Sequence, residues 1–122
     1  MSNNAFSLPE PDPAETGPYA VVGEARAKPG KADALEAVLV SLVSPTRLED
    51  GALEYHVHRD RHDTDLFVFY EVWQSKEKLI QHLQAPYIIA FLEGRHEYLA
   101  NEMTVRWLKM ASAYATQSAR SQ

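Results

Sequence analysis

The 122-residue chain contains no cysteine. That single absence excludes a disulfide framework, a cysteine nucleophile, a Cys-ligated zinc and a Cys-held iron–sulfur cluster. Clustered basic charge is also missing: twelve Lys and Arg stand against seventeen Asp and Glu, for a net charge of −5. Three of those acids, Glu10, Asp12 and Glu15, lie in the first 18 residues, which hold no base, and this leaves the rest nearly neutral. Such a body lacks the electrostatic footprint that a nucleic-acid backbone requires. Nothing approaches the ~18 consecutive apolar residues of a membrane span; the stretch Leu66–Tyr70 near the middle runs for five. The opening MSNNAFSLPEPDPAETGP has neither a basic nor an apolar signal region, so the expected location is the cytoplasm. GxGxxG, P-loop and GxSxG motifs are absent as well, which removes the usual support for nicotinamide, nucleotide and serine-hydrolase chemistry.

What is present is enough for one domain. Residues 1–18 carry four prolines and little apolar content, and are expected to form a mobile leader. Residues 112–122 read as a polar C-terminal tail, with Tyr114 as its possible anchor. Between them lies a domain over residues 19–111. Tyr19–Lys28 is a short Val-containing strand ended by Pro29-Gly30. Leu35, Val38, Leu39, Leu42 and Val43 then form the apolar stripe of an amphipathic helix, which Pro45 should kink or end. Glu49-Asp50-Gly51 makes a turn. Leu53–Arg59 alternates, with Leu53, Tyr55 and Val57 on one face. A polar hairpin connection leads to Leu66–Trp73, rich in aromatic and β-branched residues. Ser75 is placed to cap a helix through Leu83, and Pro86 to open a second helical segment carrying Tyr87, Ile88, Phe91, Leu92 and Leu99. Glu102–Met110 alternates again.

The order β-α-β-β-α-β predicts an α+β, ferredoxin-like fold: a four-stranded antiparallel sheet with helices on one face. Strand Leu66–Trp73 is apolar on both sides, whereas a sheet wetted on one face should alternate apolar and polar. Helices cover only one face, so a second copy related by a two-fold axis is expected on the other, giving a homodimer.

Fold does not decide function; side chains do. Glu71 stands mid-strand among Phe67, Phe69 and Trp73, where burial would raise its pKa and suit it to acid or base work. It could equally be a structural carboxylate holding a loop, Arg26 or Arg106. His82 borders the apolar stripe of its helix and is the best base candidate, although a lone histidine is more often structural. Tyr55 and Trp73 offer flat walls, though core aromatics more often simply pack. His56 and His58 share a strand face, but no third ligand completes a metal set beside Arg59 and Arg61, so no metal is expected.

The segment Tyr19–Met110 resembles the antibiotic biosynthesis monooxygenase domain family, which includes cofactor-independent quinol monooxygenases. The resemblance rests on an ordered set: Pro29-Gly30-Lys31 after the first strand, Thr46-Arg47-Leu48-Glu49-Asp50-Gly51 leading to Tyr55, then Phe67, Glu71, Trp73, Ser75, His82-Leu83 and Pro86. It implies a dimeric α+β barrel with a pocket between sheet and helices, and an enzyme that needs no cofactor. Its substrates would be dioxygen and a small aromatic compound: a quinol, a hydroquinone or a polycyclic phenol. Dioxygen is a triplet that reacts slowly with closed-shell molecules, but an electron-rich phenolate can donate the electron itself. The protein must then supply a dry pocket, a base and a group that holds the anion. On this reading His82 takes the proton, Glu71 orients His82, and Tyr55, Phe69, Trp73, Tyr87 and Phe91 line the site.

The family often carries a histidine directly after the proline, where this chain has Tyr87. A similar haem-degrading branch uses an asparagine on the first strand; here Val22, Gly23 and Glu24 stand there. Another relative isomerises a phosphorylated sugar derivative, for which Arg26, Arg95 and Arg106 are the candidate cations. Two alternatives therefore stay open: an acid–base isomerase of a small phosphorylated carbonyl compound, and a non-catalytic dimeric module that binds a small molecule.

Overall fold

A computed structural model describes residues 7–115. Strand β1 (Tyr19–Arg26) is followed by helices α1 (Ala32–Ser41) and α2 (Val43–Arg47), then by β2 (Ala52–Arg59) and β3 (Leu66–Trp73). Helices α3 (Lys76–Leu83) and α4 (Pro86–Gly94), a 3-10 turn over Arg95–Glu97 and β4 (Thr104–Lys109) complete the chain. The sheet order is β2-β3-β1-β4 with every neighbouring pair antiparallel, the split-βαβ arrangement of a ferredoxin-like α+β fold. Among the described residues no helix is long and apolar enough to cross a membrane.

Strand register decides which side chains meet the helices, because partners across a ladder share a face. Val105, Gly23, Phe69 and Val57 form one row across the sheet, and Trp107, Val21, Glu71 and Tyr55 form the next. Both rows face the helices. Above them α1 presents Leu35 and Leu39, and Leu42 follows at its end, all buried at helical spacing. Two apolar clusters result. One gathers Ala25, Leu35, Leu39, Phe67, Ile88 and Leu99; the other gathers Tyr19, Val21, Tyr55, Trp73 and Leu79.

Several boundaries differ from expectation for local reasons. Helix α1 ends at Ser41, ahead of Pro45, and the proline sits in the first turn of α2, where a missing N–H costs no helical bond. A β-bulge between Ala52 and Glu54 pushes Leu53 outward, so that Ala52 pairs with Trp73. Helix α4 stops at Gly94, and Leu99 is buried instead through an isolated bridge to Ala27. Strand β4 is shorter than the alternating run, Thr104–Lys109 rather than Glu102–Met110. The Ser75 cap forms, its Oγ accepting from Lys78 N at 3.3 Å.

Of the expected leader, residues 1–6 lie outside the described residues. Leu8 packs on the second cluster, and the Tyr19 hydroxyl donates to the Pro9 carbonyl at 2.7 Å. Beyond β4 the chain returns over the sheet face away from the helices, where the Tyr114 hydroxyl donates to Glu54 Oε2 on β2 at 3.0 Å. Residues 116–122 lie outside the described residues.

Gly51 closes the turn into β2 with φ of 87°, and a Cβ there would overlap the Lys78 stem. Gly51→Ala is therefore expected to destabilise the fold by about 1 kcal/mol or more, read as a lower urea midpoint with an unchanged m-value.

Candidate active site

Between the two clusters lies a cavity of about 70 Å³. Its floor is the pair of sheet rows and its roof is Leu39, Leu42, Leu79, His82, Ile88 and Phe91. Half-exposed Phe91 and Leu92 of α4, with Met103, Val105 and Trp107 at the edge strand, leave it open on that side. The lining is almost wholly apolar. Glu71, His82 and Tyr55 bring the polar chemistry, and among the described residues no lysine or arginine lines it.

His82 closes the last turn of α3 with its side chain only 3% exposed. Its Nδ1 lies 3.0 Å from Glu49 Oε2. The Tyr87 hydroxyl donates to the same Glu49 oxygen, and Thr46 Oγ1 stands 3.5 Å from that hydroxyl. A carboxylate accepts only, so Nδ1 carries the proton and Nε2 keeps its lone pair. The ring is wedged between aromatics, 4.7 Å from the Trp73 ring and 5.5 Å edge-on from the Tyr55 ring. Burial lowers the imidazole pKa, against the opposing pull of Glu49, so the neutral, base-competent form prevails near pH 7.

Glu71 is buried at 6% exposure, and its Oε1 accepts from Trp73 Nε1 at 2.8 Å. Desolvation pushes its pKa up to about 7; the indole bond opposes that rise and the charge of Glu49 adds to it. The carboxyl thus exchanges a proton in the physiological range. Burial also raises the Tyr55 phenol above its ordinary 10, with the Glu71 charge adding to the effect, which keeps that hydroxyl protonated.

The expected residues therefore assemble, with different partners. Glu71, His82, Tyr55, Phe69 and Phe91 all line the cavity. Trp73 is fully buried behind them and holds Glu71 and the His82 ring rather than walling the cavity. Tyr87 lies on the far side of Glu49, along a shallow surface groove with Pro45, Leu48 and Gln81. The carboxylate that orients His82 is Glu49, not Glu71. Glu49 sits in the segment that the sequence marks only as a turn, and only the Thr46–Gly51 match to the family pointed to it. The candidate phosphate cations are engaged elsewhere: Arg26 with Asp63 at 2.8 Å and Arg95 with Glu102 at 3.0 Å, while Arg106 is exposed. His56 bonds Glu54 Oε1 at 3.0 Å and His58 bonds the Val68 carbonyl at 3.1 Å. Among the described residues no group of three or more His, Asp or Glu is placed to hold a metal ion.

The antibiotic biosynthesis monooxygenase family model matches residues 18–94, well over half of the sequence. The chain belongs to the antibiotic biosynthesis monooxygenase family. It is 32% identical over 111 residues to the uncharacterized protein sll1783 of Synechocystis, covering 87% of this chain and 76% of that one. The "Putative monooxygenase Rv0793" of Mycobacterium tuberculosis is 29% identical over 90 residues, covering 74% and 88%. The structure of Rv0793 superposes with a TM-score of 0.76 over 81% of this chain and 100% of that one. PA3566 of Pseudomonas aeruginosa superposes at 0.75 with 34% identity, over 80% and 97%.

The raised Glu71 pKa has a stability consequence whose sign is fixed. Between the ordinary value of 4.5 and about 7 the folded chain holds a proton that the unfolded chain has lost. Stability from this group is full below that window and falls as pH rises through it. In urea titrations at pH 5 and pH 7.5, Glu71→Gln is expected to remove that decline, a difference of about 3 kcal/mol at most. The opposite slope of His82 is common to both proteins and cancels. Equal pH dependence in the two proteins contradicts a buried titrating carboxyl.

Proposed function

We propose that this family member is a cofactor-independent monooxygenase that oxidises a quinol or hydroquinone with dioxygen, using His82 as the base. The observation that carries this reading is a neutral imidazole, oriented through Nδ1 by Glu49, on the roof of a largely apolar cavity. The name carried by Rv0793 supports oxygen chemistry. His82 Nε2 takes a phenolic proton, and the substrate anion gives one electron to dioxygen. Semiquinone and superoxide then join at a ring carbon, forming a C–O bond, and the imidazolium returns its proton to the peroxide. His82 next removes the proton from that ring carbon, the O–O bond breaks, and a carbonyl is left on the ring. Glu71 protonates the departing hydroxide and regains its proton from His82. One dioxygen thus turns a hydroquinone into a hydroxyquinone and water, with one oxygen atom in each product. Tyr55, Phe69 and Phe91 contact the ring, while Glu49, Tyr87 and Trp73 are positioning residues.

A phosphorylated carbonyl substrate is disfavoured by the absence of any lysine or arginine in the cavity lining. For the sheet face away from the helices, half-buried Val22, Val68 and Tyr70 support a second copy as its cover.

Oxygen uptake with hydroquinones in metal-chelated buffer tests the activity. His82→Ala should lower kcat/KM by about 10²-fold or more. Glu49→Gln should lower it less and move the acidic limb of the pH profile, where His82 loses its proton, to lower pH, which a purely structural role would leave in place. Absence of uptake across a quinol panel, with binding retained, would return the protein to the class of small-molecule-binding modules. Sedimentation equilibrium should give twice the 13.8 kDa chain mass; a single-chain mass rejects the dimer.

A further inference from the structure

Phe69 stands on β3 directly across from Gly23 on β1, both on the face that meets the helices. Gly23 is buried and has ordinary extended φ, so backbone conformation does not call for a glycine there. Space does: a Cβ at position 23 would overlap the tip of the Phe69 ring. The outer edge of the ring therefore occupies the place of a side chain on the bare backbone of β1, and Phe69 forms part of the cavity floor. Any side chain at 23 would lift the ring toward the roof. The cavity, open at the side of Phe91 and Met103, holds about 70 Å³, roughly half of the ~150 Å³ apolar cavity that holds a benzene molecule. A single ring fits with one edge left in the mouth beside Phe91 and Met103. A fused second ring would have to lie wholly in the mouth, outside the space beneath His82, while Phe69 is in place.

We propose that Phe69, seated on Gly23, is the specificity-determining residue of this cavity and restricts its aromatic substrate to a single ring. The inference rests on the proposed use of the cavity for a quinol, and it narrows that reading to monocyclic compounds.

Two substitutions act in opposite directions on the same space. Phe69→Ala removes the floor and Gly23→Ala raises it. Binding of hydroquinone and of 1,4-dihydroxynaphthalene is measured without oxygen by equilibrium dialysis, then oxygen uptake is measured with each. The wild type is expected to prefer hydroquinone by at least tenfold in both measurements. Phe69→Ala should reverse the order, with dihydroxynaphthalene gaining at least tenfold, and Gly23→Ala should weaken both ligands by at least fivefold. Phe69→Leu serves if the alanine variant does not fold, and should show the same reversal in smaller degree. A preference that stays within twofold of wild type in a folded Phe69 variant overturns the assignment. Selective anaerobic binding without oxygen uptake upholds the size restriction and overturns the monooxygenase reading. Oxygen uptake without selectivity does the reverse.

Discussion

The hydrogen-bonded pairing of β1 with β3 at the centre of the sheet sets everything else. Once Gly23 faces Phe69 and Val21 faces Glu71, strand alternation leaves no choice about what the helices cover. Shifting that ladder by one residue would turn Phe67, Phe69, Glu71 and Trp73 away from α1 and α3. It would put Val68, Tyr70 and Val72 in their place, and the cavity would lose its carboxyl and its aromatic floor together.

A buried carboxyl is costly unless its polar atoms are paired or its charge is given up. Glu71 does both in part. It accepts a hydrogen bond from Trp73, and its raised pKa keeps it protonated through much of the neutral range. Trp73 then serves two groups, since its ring also lies against His82. The imidazole is held from the other side by Glu49, itself held by Tyr87. Two carboxyl groups thus occupy opposite ends of one aromatic wedge. Glu71 is desolvated, while Glu49 is one-fifth exposed, and the difference in environment suits them to different work.

Much of this was legible in the chain itself. The period-two runs and the Leu35–Leu39–Leu42 stripe are read directly as strands and a helix, and β3 begins and ends where its composition says it should. Whether Glu71 and His82 converge on one cavity depends on strand register, which the sequence does not carry; the β1–β3 ladder and the packing of α3 bring both to the lining. The bulge at Leu53 was not visible, because two alternating residues look alike whether or not one is extruded. Glu49 was missed because a turn acid is usually solvated. Only tertiary packing of α2 and the following turn against α3 brings it within 3.0 Å of an imidazole thirty-three positions later. Trp73 was legible as an aromatic near the site, but whether an indole walls a cavity or braces it depends on depth, which periodicity does not carry.

The central position of β1 has a consequence for how the molecule comes into being. Strand β1 is made before every other strand of the sheet, yet one side of it pairs with β4, Tyr19 with Lys109, some ninety positions later. Throughout synthesis that flank of β1 keeps its N–H and C=O groups unsatisfied by partner backbone, next to the apolar Val21 and Val22. Early hairpin closure by β2 and β3 supplies only the opposite flank. The nascent polypeptide is thus exposed to wrong strand pairing until β4 arrives, and long-range closure of this kind slows folding.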